Sequence, residues 1–355
     1  MNRFLSKRFT ELVPYVPGEQ PKQGQFIKLN TNESPFPPSP LAVRMAGEAA
    51  EHLELYSDPN CGKLRSAAGE VFGLPPENIV AGNGSDELLN FSFMAFCDEA
   101  RPAYFPDITY GFYKVFAAQN RVPYKEIPLR EDLTLRTKDY SGLKGTLFIA
   151  NPNAPTGLFI SRAEIAALAA EDPGRVIVVD EAYVDFGGES SVPLVKEFDN
   201  IFVIQTFSKS RSLAGGRLGL GFGSAELIGA VNTLRFSVNP YNVNAMTQAA
   251  GIGALTDAAY TAGNVERIRS GREYLKLELV SLGFEVTDSC ANFVFARHPA
   301  YKGGFLTAEL RRRGILIRHF PVPERIADHI RITVGSRSQT EAVAVALKEI
   351  VRGKP

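Results

Sequence analysis

Four stretches of the chain bring together side chains able to act on a small molecule. Lys209 lies in Thr206-Phe207-Ser208-Lys209-Ser210, directly after the apolar, β-branched run 201–205. Arg217 follows eight residues later, inside Ala214-Gly215-Gly216-Arg217-Leu218-Gly219. An amine, the hydroxyls of Thr206 and Ser208, glycines that admit a ligand to the backbone and a guanidinium suit a phosphate ester carried next to a carbonyl. A lysine by itself would mean little, since most lysines are solvated surface charges.

Asp180 closes the apolar run 176–179 and is followed by Glu181, Ala182 and Tyr183. A carboxylate in that place either starts a turn or pairs with a buried cation. A protonated ring nitrogen is such a cation, and a desolvated carboxylate keeps it protonated. Gly82-Asn83-Gly84-Ser85-Asp86-Glu87 follows another apolar run and opens a helical pattern. The first amides of that helix form an anion site to which Ser85 adds a hydroxyl. An ordinary N-capped strand–turn–helix gives the same pattern. The stretch is neither a dinucleotide fingerprint nor a P-loop.

The elements that must position these groups read as alternating strands and helices. Short runs rich in β-branched residues recur at 78–81, Thr146–Ala150, 176–179, 201–205 and 219–223. Helical patterns lie between several of them, at Ser85–Phe96 and at 161–171, the latter with Ser161 and Glu164 spaced as a capping box. Continuous apolar strands alternating with helices predict a mainly parallel sheet covered on both faces. Pro14, Pro17, Pro21, Pro35, Pro37, Pro38 and Pro40 make residues 1–37 an extended arm, which must lie on the body or on a partner subunit. From residue 264 the pattern changes to a charged helix (264–282), strands at 284–287, 292–296, 315–317 and His329–Thr333, and helices at 307–313 and 338–351. The expected organisation is thus an arm (1–37), a large α/β domain (38–263) and a smaller α+β domain (264–355).

Composition excludes several classes of function. Lys+Arg and Asp+Glu each number 39, so no net field draws nucleic acid or an anionic membrane. No run of about eighteen apolar residues suggests a membrane span, and residues 1–10 lack the core of a signal peptide. Cys61, Cys97 and Cys290 read as buried free thiols of a reducing compartment. The histidines His52, His298, His319 and His329 have no ligand spacing, and no metal is expected. A soluble, cytoplasmic chain is the expectation.

The order Gly84-Ser85-Asp86, Pro155-Thr156-Gly157, Asp180-x-x-Tyr183, Ser208-Lys209 and Arg217 resembles the fold-type-I pyridoxal-phosphate aminotransferases. The resemblance covers nearly the whole chain. It implies a large domain with a seven-stranded, mainly parallel sheet and a homodimer with shared sites. It also implies that pyridoxal 5′-phosphate is held on Lys209 as a Schiff base, and that Lys209 then moves the proton at the substrate's α-carbon. Asp180 would sustain the ring's positive nitrogen, and Tyr183 and an asparagine would bind the ring oxygen. Tyr110 would stack on the ring. Gly84, Ser85, Ser208 and Arg217 would bind the phosphate, Asp86 and Thr206 would belong to the same cofactor site, and Tyr56 would reach the phosphate from the neighbouring subunit. One departure stands out: the asparagine usual before Pro-Thr-Gly is Ala154 here, and Asn153 is expected to serve instead.

Within the family, Leu12-Val13-Pro14-Tyr15, the run from Lys28 to Pro35 and the arginines Arg318 and Arg331 resemble the branch acting on histidinol phosphate. Two guanidiniums suit a dianionic phosphate, and Tyr15 and Asn32 would line the substrate end. The small-molecule partners implied are an amino donor and a 2-oxo acid. An aromatic amino-acid aminotransferase, with Arg331 as a carboxylate clamp, and a threonine-phosphate decarboxylase remain alternatives. A non-catalytic regulator would need a DNA-binding segment, and the chain instead opens on the proline-rich arm.

Overall fold

The computed structural model describes residues 3–10, 12–21 and 26–353. The arm gives way to β1 (Ile27–Lys28), then α1 (Pro40–Ala50) and α2 (Gly62–Phe72). β2 (Ile79–Gly82), α3 (Ser85–Phe96), β3 (Ala103–Pro106), α4 (Phe112–Asn120) and β4 (Tyr124–Ile127) follow. β5 (Thr146–Ala150), α5 (Arg162–Glu171), β6 (Ile177–Asp180), β7 (Ile201–Thr206) and β8 (Gly219–Phe222) complete the first sheet. Three helices come next: α6 (Ala225–Val238), α7 (Ala245–Thr256) and α8 (Ala258–Ser281). The last stretch holds β9 (Glu285–Val286), β10 (Phe293–Arg297), α9 (Gly303–Arg312), β11 (Ile315–Leu316), β12 (Arg318–His319), β13 (His329–Thr333) and α10 (Arg337–Arg352).

The first sheet has seven strands in the order β2-β8-β7-β6-β5-β3-β4. Only β8 runs against its neighbours. Every residue of β5, β6 and β7 is buried, which is why these strands are apolar without alternation. Successive side chains point to opposite faces. Ile177, Val179, Ile201 and Val203 pack with residues of α2, α5 and α7, while Val178, Phe202 and Ile204 pack with Phe91, Phe93 and Phe116 of α3 and α4. This two-sided α/β architecture agrees with the sequence expectation.

A four-stranded antiparallel sheet, β12-β13-β10-β9, backs onto α8, α9 and α10. β1 pairs in parallel with β11 and so ties the arm to this second unit. The arm lies on the body of its own chain: Tyr15 stacks on Phe112 at 4.4 Å, and Asn30 Nδ2 donates to Glu19 O at 2.9 Å.

Some boundaries differ from those read in the sequence. The charged helix α8 begins at Ala258 because Asp257 caps it, accepting from Tyr260 N, and it runs across residues 263 and 264. The final helix opens under Ser336, whose capping box is with Gln339, two residues before the expected Ser338 and Glu341. α9 starts at Gly303, earlier than the expected 307, and its first turn holds no acidic or proline signal. Cys61 and Cys97 are buried free thiols as expected, but Cys290 is only half-buried. Among the described residues no helix is long and apolar enough to cross a membrane.

Candidate active site

Most of the predicted cofactor residues converge at the carboxyl edge of the large sheet, where open α/β sheets bind ligands. Asp180 ends β6, Thr206 ends β7 and Ser85 begins the helix after β2. A cavity of about 360 Å³ is lined by Ser85, Asp86, Tyr110, Asp180, Tyr183, Thr206, Ser208, Lys209 and Arg217, with Thr31 and Glu33 at its rim. A second cavity of about 420 Å³ adjoins it and shares Tyr110, Tyr183 and Lys209. Its other walls include Tyr15, Asn32, Arg318 and Arg331.

One end of the first cavity is an anion cradle. Gly84 is the N-cap of α3 and supplies no side-chain acceptor, so the first-turn amides are left for a ligand. Gly84 has φ of +82°, and a Cβ there would stand 2.7 Å from Arg217 Nη2. Gly219 must also lack a side chain, because a Cβ would meet Ser85 N at 2.6 Å. Thr206 Oγ1 donates to Ser208 Oγ at 3.1 Å, and Arg217 Nη1 reaches the same Ser208 oxygen at 3.4 Å. Asp86 stands apart from the other cradle groups. Its carboxylate accepts from Arg217 Nη2 (3.1 Å) and Tyr110 Oη (2.8 Å), so it aims those two side chains rather than offering a phosphate a proton.

The middle of the cavity holds Lys209, whose Nζ donates to Thr31 O at 3.2 Å and lies 5.8 Å from the Tyr183 ring centre. Burial pushes the Asp180 carboxyl up to about 6, opposed by the Tyr113 hydroxyl, which donates to Oδ2 at 3.0 Å, and by the Ala182 amide. A carboxylate raised by desolvation regains its charge readily beside a cation. Tyr113, fully buried on α4, supports the site through Asp180, and the sequence reading missed it. Its nearness in sequence to Tyr110 was the available signal, and the two rings meet edge-on at 5.7 Å where α4 begins. Glu33 was missed too. Burial works against its charge, but the Lys28 ammonium bonded to it holds its carboxyl below the usual range.

One expectation changes. Asn153 lines neither cavity: its amide donates to Ile108 O and Thr156 Oγ1 and accepts from Thr109 Oγ1, so every strong bond is spent inside the loop. Ala154 presents only a methyl to the cavities. Asn32 instead donates from Nδ2 to Tyr183 Oη at 2.9 Å. Tyr56 lies outside both cavities of its own chain, 84% exposed and stacked on Tyr241 at 4.5 Å.

The second cavity has an unusual wall. Arg318 and Arg331 sit directly opposite each other in the β12–β13 register. Neither forms an ion pair among the described residues. Arg318 Nη2 reaches only Val16 O at 3.4 Å and Arg331 Nη2 only Asn30 O at 3.2 Å, and Arg331 Nε is buried without a partner. Burial, with Arg318 facing it, draws Arg331 below its usual range. Like charges directly opposite destabilise a strand pair.

A family model described as aminotransferase class I and II matches residues 24–350. The chain belongs to the class I and II aminotransferases. Curated relatives of this aminotransferase include "Histidinol-phosphate aminotransferase 1" of Bradyrhizobium diazoefficiens, 47% identical over 99% of this chain and 100% of the relative. "Histidinol-phosphate aminotransferase" of Acetobacter pasteurianus is 45% identical over 99% of each chain. The fold matches a Sinorhizobium meliloti histidinol-phosphate aminotransferase solved in complex with pyridoxal-5′-phosphate. That match has a TM-score of 0.84 at 24% identity and covers 92% of this chain and 91% of that one. The cradle, the buried carboxylate and the lysine of the present aminotransferase fit a phosphate-bearing aldehyde with a basic ring nitrogen.

Proposed function

We propose that this aminotransferase interconverts L-histidinol phosphate and 2-oxoglutarate with imidazole-acetol phosphate and L-glutamate, using pyridoxal 5′-phosphate. When bound, that cofactor supplies an electron sink for the pair left when the α-carbon loses its proton. Lys209 Nζ is the amine that attaches it and the base that takes and returns the α-proton. Asp180 holds the ring nitrogen charged, and Tyr110 covers a ring face. Ser85, Ser208, Arg217 and the first amides of α3 grip the phosphate.

The observation that carries the substrate reading is the facing pair Arg318 and Arg331, both half-buried and, among the described residues, without a carboxylate partner. A dianionic phosphate on the substrate neutralises both guanidiniums at once, which a single carboxylate does less completely. Tyr15 from the arm closes that end of the pocket. The names of the curated relatives support the same substrate.

The active form we infer is a homodimer in the cytoplasm. Tyr56, together with exposed Leu53, Leu55 and Val43, supports a partner-facing surface through which Tyr56 enters the neighbouring site. We also take residues 1–37 as the arm, 38–263 as the large domain and 264–355 as the small domain, with α8 as the rod between the last two.

The test is to add histidinol phosphate, phenylalanine or threonine phosphate singly to the cofactor-loaded enzyme and follow the cofactor's visible absorbance and any CO₂ released. Bleaching by histidinol phosphate at the lowest concentration is the expected result. Preferential bleaching by phenylalanine, or CO₂ from threonine phosphate, would overturn the substrate assignment.

A further inference from the structure

Tyr183 has one hydrogen-bond partner among the described residues, and the direction of that bond decides what the tyrosine can do. Asn32 Nδ2 donates to Tyr183 Oη, so the phenol's own proton is left over, and Tyr183 donates it to no protein acceptor. Which end of the Asn32 amide faces Tyr183 follows from Thr333. The Thr333 hydroxyl accepts the Asn32 backbone N–H at 3.0 Å and lies 2.9 Å from Asn32 Oδ1. With the amide reversed, the buried Thr333 proton would find no acceptor, a costly arrangement. The oxygen therefore faces Thr333 and the nitrogen faces Tyr183.

Asn32 is built for this position. It is 1% exposed, and its φ of +56° is a left-handed conformation that asparagine tolerates better than most residues. Asn292 Nδ2 clamps its carbonyl at 3.0 Å. The neighbouring loop offers no substitute, because Ala154 has no donor and the Asn153 amide is spent on Ile108 and Thr156.

We propose that Thr333 and Asn32 act as positioning residues that force Tyr183 to be a hydrogen-bond donor into the cofactor cavity. The relay runs from β13 through the arm to the loop after β6, so three distant parts of the chain must be in place before Tyr183 is oriented. This rests on the reading of the first cavity as the pyridoxal-phosphate site, and not on which amino donor is used. A proton donated to the ring's phenolic oxygen stabilises its negative form and weakens the hold of the neighbouring lysine-linked nitrogen on its proton.

The experiment loads the full-length chain with pyridoxal phosphate and titrates the visible absorbance of the bound cofactor against pH. Asn32→Ala should raise the midpoint by about one pH unit, the worth of one good hydrogen bond to a charged oxygen. Tyr183→Phe should raise it at least as far, and adding Asn32→Ala to Tyr183→Phe should give no further rise, because the first acts only through the second. Thr333→Val should raise it less, and Thr333→Ser should restore it. If Asn32→Ala folds poorly, the same-shaped Asn32→Asp, which turns the donor into an acceptor, should raise the midpoint too. Equal shifts from Asn32→Ala with and without Tyr183, or no shift in either Asn32 variant, would overturn the relay. A wild-type chain that takes up no cofactor would instead overturn the cofactor assignment, and the relay with it.

Discussion

The two ends of the candidate active site are both proposed to hold anions, yet they are built in opposite ways. At the cofactor end, Arg217 already has partners: Asp86, Ser208 and its own loop carbonyl at Ala214. All the cradle groups come from strand ends of one sheet. At the substrate end, Arg318 and Arg331 face each other with backbone carbonyls and the rings of Phe293 and Phe320 in reach but, among the described residues, no carboxylate partner, and their wall is assembled from the arm and the four-stranded sheet. At the first end the guanidinium is paired before anything binds, and only the first amides of α3 wait for an acceptor. The second stores repulsion that an incoming phosphate relieves. The difference matches the traffic each end sees, since a resident cofactor needs a stable seat and a substrate must arrive and leave.

The amine between the two ends serves both, so its loss should be the most damaging. Lys209→Ala is expected to lower turnover by about 10⁴-fold or more, with cofactor retained only non-covalently, as mass spectrometry under denaturing conditions would reveal. Normal turnover in that variant would dissolve the comparison by removing its centre.

Exchanging the two arginines sharpens it. Arg331→Met should reduce kcat/KM for a phosphate-bearing donor by about 10²–10³-fold while leaving cofactor affinity nearly unchanged. Arg217→Met should do the reverse, weakening cofactor binding by roughly 10–100-fold as read from a fluorescence titration. Thermal unfolding of the ligand-free variants separates them again: removing Arg331 relieves a like-charge contact and should leave the melting temperature level or higher, whereas removing Arg217 takes from Asp86 its cation, leaves it only the Tyr110 hydroxyl, and should lower that temperature. Similar losses of cofactor from both variants would mean that the two ends are not separate sites.

The smallest effect expected is on stability. Burial raises Asp180 to about 6 and Glu181 to about 7. The unfolded chain ionises these groups at lower pH than the folded one, so their contribution to stability is full below about pH 4 and is lost as pH rises through 6 and 7. Relative to Glu181→Gln, the cofactor-free wild type should therefore gain stability as pH falls from about 8 to about 5, by roughly 1–3 kcal/mol. Urea unfolding at several pH values measures this, and a gain on raising pH would contradict the burial argument.

The same contrast explains what could be read from sequence. The cofactor end was legible because each group rides on a local signal: a buried apolar strand followed by Asp180, by Ser208 and Lys209, or by the Gly84 turn. α3 was found at its observed limits for the same reason. The substrate end depends on register. That Arg318 opposes Arg331 is decided by how β12 meets β13, and no residue of either strand announces it. Asn153 misled because the sequence gives neighbourhood along the chain but not the loop bonds that occupy its amide. Asn32 was placed at the substrate end, and its bond to Tyr183, 151 residues away, had no local trace. β3 and β4 were passed over because prolines flank the first and polar residues fill the second, an edge strand that needs no apolar run.

The alternation along β7 carries one more consequence. Ile201 and Val203 belong to one face of the sheet, and Phe202 and Ile204 to the other. The same strand delivers Thr206, Ser208 and Lys209 to the cavity. Insertion or deletion of a single residue within β7 would exchange the two faces and turn the Lys209 amine away in the same event. Length changes in this strand can therefore never be silent for chemistry while being tolerated by packing. The strand and its lysine are in this sense one indivisible unit.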